Sequence, residues 1–179
     1  MITIRDPNTG KAVSVTSLSE LKVIASVEEE FKRISEESGE AFVWHNATYD
    51  YIAADTVLLV QNVHASKKLH IWKIHLHGDT ETEVQIHVPT VSFTIAGTAV
   101  VGQGLNRALD KDATAYATAK ANETGNTQGD IVVRRRIKAD TDDDVDFEGA
   151  LILGTNQSVG VDYVTEGAEA HVDIWGYYK

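Results

Sequence analysis

The residues with the clearest chemical potential in this chain are three histidines and a glutamate that lie close together in sequence. His75 and His77 are separated by one residue within the segment 69–77, which alternates in polarity like a strand. Residues two apart on a strand share a face, so both imidazoles can bind one ion. Glu81 follows His77 at the fourth position, and His87 can join from the next strand. These four side chains are the candidate ligands of a transition metal.

The spacing of these residues resembles the first half of the cupin metal motif, in which two histidines on one strand and a glutamate on the next bind Fe, Mn or Zn. The resemblance implies a metal-dependent enzyme or a sugar-binding module as one alternative function. The chain departs from the motif, because its flanking glycines and its second half, with the fourth ligand, are missing.

The alternation of the segment 69–77 also opposes a metal site. One row of residues is mostly apolar, and we expect it to face the core: His70, Trp72, Ile74 and Leu76. The other row becomes polar toward its end and places His75 and His77 on a solvated face. The sequence therefore predicts no bound metal and no other cofactor.

Two charged segments follow later in the chain. Asp140–Asp146 fails the template of a calcium-binding loop, since Val145 stands at the glycine position and Leu151 at the position of the terminal glutamate. We expect this segment to form an acidic turn. The preceding Arg134–Arg136 alternate between two strand faces, and we expect them to form salt bridges with the acidic segment.

Other patterns of catalytic residues are missing from the sequence. Gly102-Gln-Gly104 lacks the further residues of a phosphate-binding loop, and no serine nucleophile motif is present. The chain contains 0 cysteines, which excludes disulfides and thiolate chemistry. We therefore predict that the protein is not an enzyme.

Composition limits the class of protein and its partners. The 179 residues suit one core, and 42% hydrophobic with 24% charged residues is a globular composition. The net charge of −11 repels a phosphate backbone, so nucleic acid is not an expected partner. The longest segment without charged residues, Val84–Asn106, contains Pro89 and polar residues and does not predict a membrane span. No secretory signal is visible, so we expect synthesis in a cytoplasm.

Strand patterns dominate the chain after one helix predicted at Val27–Glu37, which Gly39 ends. A further short helix is expected at Leu105–Leu109, followed by extended chain. The predicted strands are Ala41–His45, Asp55–Asn62, Lys68–Leu76, Glu83–Val88, Val91–Ala96, Ile131–Ala139, Glu148–Leu153, Val159–Val164 and Ala170–Tyr177. This pattern predicts an all-β fold, a two-sheet antiparallel sandwich over residues 26–179, with a jelly roll as the favoured topology.

Residues 1–25 are expected to form an extended N-terminal arm. Pro7 to Gly10 predict a turn, and the apolar residues on either side are too many for a solvated tail. The residues expected to bind a neighbouring subunit or another protein are Ile2, Ile4, Val13, Val15, Leu18 and Leu21. Such a segment can add a strand to the edge of a sheet in a partner.

Several segments resemble small proteins that tailed bacteriophages encode among their virion genes. The matching segments, in order, are Ile4–Lys11, Glu36–Trp44, Ala54–Asn62, Gln128–Asp130 and Ala150–Leu153. The resemblance implies an all-β virion component, with a capsid cement (decoration) protein as the leading type. It implies the major capsid protein as a partner, a homo-oligomer with a trimer as the favoured state, and a place on the capsid surface. A tail, baseplate or head-fibre component is the alternative within the same class.

Overall fold

The structure, a computed structural model, describes residues 2–5, 12–15, 30–46, 49–51, 56–88, 97–123 and 129–179. Strands dominate these ranges, which confirms the predicted all-β class. The strands are β1 (Ile2–Arg5), β2 (Ala12–Val15), β3 (Ala41–His45), β4 (Tyr49–Tyr51), β5 (Thr56–Asn62), β6 (Leu69–Gly78), β7 (Thr82–Val88), β8 (Thr98–Val100), β9 (Gln103–Gly104), β10 (Ala117–Glu123), β11 (Asp130–Ile137), β12 (Thr141–Leu153), β13 (Ser158–Tyr163) and β14 (Gly167–Tyr178). The predicted strand Val91–Ala96 lies outside the described residues.

Two six-stranded antiparallel sheets pack against each other as a sandwich. Sheet I has the strand order β11-β7-β13-β5-β10-β8. Sheet II has the order β12-β6-β14-β3-β9, and β4 also pairs with β14. The strands β1 and β2 pair with each other in a separate two-stranded sheet. The predicted two-sheet sandwich is therefore correct.

The strand pairs that build the two sheets are nested along the chain. β7 pairs with β11, β6 with β12, β5 with β13, and β3 with β14, so the chain forms a long antiparallel ribbon. The ribbon closes on itself because β14 also pairs with β6 and β13 with β7. Successive strands of the ribbon thus belong to opposite sheets, and their apolar faces enclose one core.

The core between the sheets consists of large side chains from both inner faces. The largest fully buried side chains are Trp44, Tyr163, Tyr178, Phe42, Leu58, Leu59, Leu69, Ile71, Ile74, Leu76 and Ile86. All of them except Leu59 belong to a single contiguous cluster. Burying an aliphatic or aromatic side chain of this kind stabilises a fold by about 1.5–3 kcal/mol, so this core is a main source of stability in a chain without cysteines.

A bulge in β6 changes which residues of that strand face the core. Leu69 and Ile71 are buried at its start, whereas Ile74 and Leu76 are buried further along. The register of β14 skips Trp72, because Trp175 pairs with Lys73 and Gly176 pairs with Ile71. The expectation that His70 and Trp72 face the core with Ile74 and Leu76 was therefore wrong, since one extra residue reverses the alternation.

The helix packs on the outer face of sheet II, where the bulge places Trp72. Residues 30–37 are helical, and the Ser38 and Gly39 backbone N–H groups both donate to the Ile34 carbonyl, which confirms the predicted end of the helix. Phe31 stacks on Trp72 with ring centroids 4.6 Å apart. The start of the predicted helix, residues 27–29, lies outside the described residues.

Two local predictions need correction. The segment 105–109 contains a turn at 107–109 instead of a helix, and a short 3-10 helix follows at Ala113–Ala115. Asp140–Asp146 is not a turn, since only Asp140 stays in one and the rest opens the 13-residue strand β12. Side-chain direction alternates along β12 as in any strand. Val145 is buried in the core, and its neighbours Asp144 and Asp146 point away from the core.

A buried carboxylate joins the end of the helix to sheet I. Glu40 is 8% exposed, forms an ion pair with Lys67, and accepts a hydrogen bond of 2.9 Å from the Tyr116 hydroxyl. Burial raises the pKa of Glu40, but the hydrogen bonds from Lys67 and Tyr116 outweigh it and leave that pKa below its ordinary value. Burial and the Glu40 carboxylate raise the pKa of Tyr116 to about 12.

Replacing this carboxylate should lower stability in a way that depends on pH. We expect Glu40→Gln to reduce the free energy of unfolding at pH 7 by about 1–3 kcal/mol, since a charge-assisted hydrogen-bond network is lost. The folded pKa lies below the unfolded value of 4.5, so the contribution is present above that pH and is lost as pH falls through the folded pKa. Urea denaturation of both proteins at pH 7 and pH 3 should show the difference shrinking in acid.

Glu37→Gln is the matched control, because Glu37 pairs with Arg33 on the helix surface with 64% of its side chain exposed. Its effect should stay within about 0.5 kcal/mol. An equal loss in both variants would contradict the role of Glu40.

Candidate functional site

The outer face of sheet II carries a row of alternating basic and acidic side chains from β6 and β12. Asp142 pairs in register with His77, and Asp144 pairs with His75. Lys73 precedes His75 on the same face of β6. We call these five residues, Lys73, His75, His77, Asp142 and Asp144, the histidine–aspartate ladder.

Three hydrogen bonds and one longer contact connect the side chains of this ladder. His75 Nδ1 lies 2.8 Å from Asp144 Oδ1, and its Nε2 lies 3.6 Å from Asp142 Oδ1. Asp142 Oδ1 also lies 2.9 Å from His77 Nδ1. Lys73 Nζ donates to Asp144 Oδ2 at 3.3 Å. Each carboxylate is therefore shared between two basic side chains, and His75 contacts both carboxylates.

The ladder affects the charge state of its inner carboxylate. A hydrogen bond from the His75 ring, together with Lys73, holds the pKa of Asp144 below its ordinary value, while partial burial opposes this. The histidines remain accessible, with 30% of the His75 side chain and 24% of the His77 side chain exposed. The prediction that these two histidines lie on the outer, solvated face is confirmed, but each of them is held by an aspartate.

The four candidate ligands of the predicted metal motif are not brought together. Glu81 lies in the connection between β6 and β7 and accepts a hydrogen bond of 2.8 Å from Arg136 Nε. His87 is fully buried in sheet I, where its Nε2 lies 2.8 Å from Asp162 Oδ1. Within the described ranges, no group of three or more His, Asp or Glu residues is arranged to hold a metal ion.

Gly160 makes room for the buried histidine. A Cβ atom at this position would lie 2.8 Å from His87 Nε2, so only glycine allows the ring to lie over strand β13. Asp162, on the same strand, is 1% exposed. The His87–Asp162 pair is therefore a buried element of sheet I, and no spacing rule applied to the sequence indicated it.

The aspartates of the ladder were missed as partners of the histidines. They belong to the segment that the sequence predicted to be a turn, and a turn gives no cross-strand register. Once Thr141–Leu153 is a strand, the period of two places Asp142 and Asp144 on one face, and antiparallel pairing with β6 sets them beside His77 and His75. The available signal was a long strand that contains several aspartates. A scale of strand propensity does not assign such a segment to a strand, because aspartate is uncommon in strands.

The arginine cluster forms three ion pairs along the edge of sheet I. Arg134 pairs with Glu83 and Arg136 with Glu81, both from β7 or the connection before it. Arg135 Nε lies 3.9 Å from Asp143 Oδ2 of β12. The predicted bridge to the acidic segment therefore exists for Arg135, and the other two arginines bind elsewhere.

A shallow polar cavity lies beside the segment 101–113. Its volume is about 160 Å³, and charged residues that line it include Arg107, Asp110, Lys111 and Asp112. Asp112 is engaged, because its carboxylate accepts hydrogen bonds from the Thr114 backbone N–H at 2.9 Å and hydroxyl at 2.7 Å. A cavity of this size holds a few water molecules and is far below the usual 300 Å³ lower bound of ligand pockets.

The residues expected to form the binding arm are placed in part. Ile2 pairs with Val15 and Ile4 with Val13 in the two-stranded sheet of β1 and β2. Leu18 and Leu21 lie outside the described residues. The division at residue 25 between arm and sandwich thus stays a prediction.

Comparison of the chain with protein families, with curated proteins and with solved structures finds no match. Among the described residues, no helix is long and apolar enough to cross a membrane.

Removing the two ladder histidines should have little effect on stability. We expect His75→Ala/His77→Ala to change the free energy of unfolding at pH 7 by less than about 1 kcal/mol, since ion pairs at partly exposed positions contribute little. Elemental analysis of the purified protein should find no stoichiometric transition metal. A metal that is present in the wild type and lost in the double variant would show that the ladder is a metal site.

Proposed function

We propose that this chain is a structural protein of a tailed-bacteriophage virion. More specifically, it acts as a capsid cement protein that binds the major capsid protein at the head surface and stabilises the shell. It is made in the host cytoplasm and functions as a homo-oligomer. The trimer expected from the resemblance of its sequence segments is part of this proposal.

The observation that carries the proposal is the nested order of the strand pairs. Four strands in the order β12-β6-β14-β3 and four in the order β11-β7-β13-β5, drawn alternately from one ribbon, fit a jelly roll of two four-stranded sheets. Viral capsid domains are among the proteins that use this fold. The strands β8, β9 and β10 then form an insertion between β7 and β11 that widens both sheets.

Jelly rolls also occur in lectins and cupins, so the fold alone does not select a function. The side chains of this chain favour the structural alternative. The histidines of the cupin-like segment face away from the core and bind aspartates of β12, whereas a cupin ligand set must converge on a common ion. Charged side chains on the outer faces form ion pairs with one another, as expected of a stable surface.

The first test is the composition of purified particles. Quantitative mass spectrometry should find the protein in virions at a copy number close to that of the major capsid protein. A few copies per particle would instead indicate the tail, baseplate or head-fibre alternative. Complete absence from particles would remove the virion proposal.

The second test concerns the N-terminal arm. β1 and β2 pair only with each other among the described strands, and a two-stranded sheet is marginal in water by itself. We expect deletion of Met1 to Leu21 to leave the sandwich folded, as judged by circular dichroism, and to abolish binding to capsids that lack the protein. Unfolding of the truncated chain would mean that these residues are an internal part of the sandwich.

A further inference from the structure

Two strands of opposite charge lie next to each other along one lateral side of the sandwich. Within the described part of the chain, β11 is the last strand of sheet I and β12 is the last strand of sheet II. β11 contains Arg134–Arg136 and β12 contains Asp142–Asp144. An edge strand has one row of backbone N–H and C=O groups that its own sheet does not use, and another chain can pair with it.

The charged side chains of this lateral side are open to solvent. The exposed fractions of the three arginine side chains are 56%, 53% and 78% in chain order. Those of the three aspartates are 70%, 40% and 47%. Each side chain has an ion-pair partner within the chain, yet all six can contact a second molecule.

The six residues fall on matching faces of the two strands. Ile137 of β11 and Val145 of β12 are buried in the core, so Arg135 and Asp143 lie on the inner faces, where they form the 3.9 Å pair. Residues at alternate positions lie on the outer faces. Arg134 and Arg136 therefore belong to the outer face of sheet I, and Asp142 and Asp144 to the outer face of sheet II.

We propose that this lateral side is a contact between two copies of the chain, related by a twofold axis parallel to the strands. In this contact β11 of each copy pairs with β12 of the other. The two strands run in opposite directions, since only residues 138–140 connect them, so the pairing is antiparallel. Sheet I of each copy then continues into sheet II of the other.

The symmetry also sets the register of this contact. Rotation about an axis parallel to the strands moves no residue along them, so Arg135 faces the partner's Asp143 at the level of the pair within one chain. Antiparallel counting then sets Arg134 opposite the partner's Asp144 and Arg136 opposite the partner's Asp142. The rotation also aligns the outer face of one sheet with the outer face of the other. Three arginine–aspartate pairs form, and the twofold axis repeats each of them.

The charges that favour this contact also exclude its alternatives. Pairing β11 with β11, or β12 with β12, would set like charges opposite each other, which destabilises a sheet. The net charge of −11 repels two copies at long range, but salt screens that repulsion beyond about 10 Å.

The contact involves neither the arm nor the capsid, so it does not depend on the proposed function. A trimer formed through another surface would leave this side available to link trimers in pairs.

Charge exchange between the two edges provides the test. The first variant carries Arg134→Glu, Arg135→Glu and Arg136→Glu, and the second carries Asp142→Lys, Asp143→Lys and Asp144→Lys. Each variant alone sets like charges opposite each other, and we expect its self-association to weaken at least tenfold in sedimentation equilibrium. An equimolar mixture restores opposite charges at every position, so a mixed dimer should form with an affinity close to that of the wild type.

The control for the first variant makes the same change of net charge at positions away from the contact. Replacing Lys32, Arg107 and Lys111 by Glu also converts three exposed cations to anions and should leave association unchanged. A wild-type protein that stays monomeric, or that stops at a trimer without linking in pairs, would overturn the proposal. Undiminished association of the first variant, or a mixture of two folded variants that does not associate, would overturn it as well.

A second measurement does not depend on the folding of multiply substituted variants. The chain has no native cysteine, so a single introduced cysteine is the only thiol of each chain. Opposite Cα atoms in an antiparallel pair are about 4.5–5.5 Å apart, within the range that a disulfide spans. Oxidation of an Arg134→Cys and Asp144→Cys mixture should yield the mixed disulfide dimer. Arg134→Cys alone should not cross-link, because its two copies lie in different layers about 10 Å apart. The reverse outcome would exclude the proposed register.

Discussion

The register between β6 and β14 in the middle of sheet II is the constraint on which the other features depend. Ile74 lies opposite Ile174 and Leu76 opposite Val172, and all four side chains are fully buried. A slip of one residue would turn these side chains to solvent and the histidines of β6 into the core. The cost of burying unpaired imidazoles in place of aliphatic groups fixes the pairing. Two features follow from this register. They are the histidine–aspartate ladder between β6 and β12 and the packing of the helix on Trp72.

The outer faces of the two sheets differ in how deeply their side chains are buried, although both sheets share one core. On sheet II, polar side chains remain partly exposed and bind one another across strands, while the helix covers the end that carries Trp72. On sheet I, outward positions such as Leu59, His87 and Asp162 are buried as deeply as the core. His87 Nε2 lies 2.8 Å from Asp162 Oδ1 on this face, and Gly160 leaves the space for the ring.

The sequence predicted the elements of this fold better than their relations. Alternation and turn residues located the strands around Trp44, Leu58, Ile86 and Ile174 to within a few positions, because those segments are apolar enough to dominate their own pattern. The bulge at Trp72 was invisible, since an extra residue leaves composition unchanged and shows itself only in the register with a partner strand. The ladder was invisible for the same reason. Its histidines are local in sequence, but its aspartates come from a strand that a propensity scale assigns to a turn.

Nesting of the strand pairs has a consequence for how the chain reaches this fold. Each inner strand pair shortens the loop that the next outer pair closes, which lowers the entropy cost of forming that outer pair. The innermost pair, β7 with β11, is therefore expected to form first. The outermost pair joins Trp44 to Ile174, so until synthesis has passed β14 the only partner of β3 among the described strands is the two-residue strand β9. Contacts of such long range are typical of domains that fold in milliseconds to seconds. During translation the chain therefore presents several unpaired apolar strands at once, and its net charge of −11 then opposes aggregation.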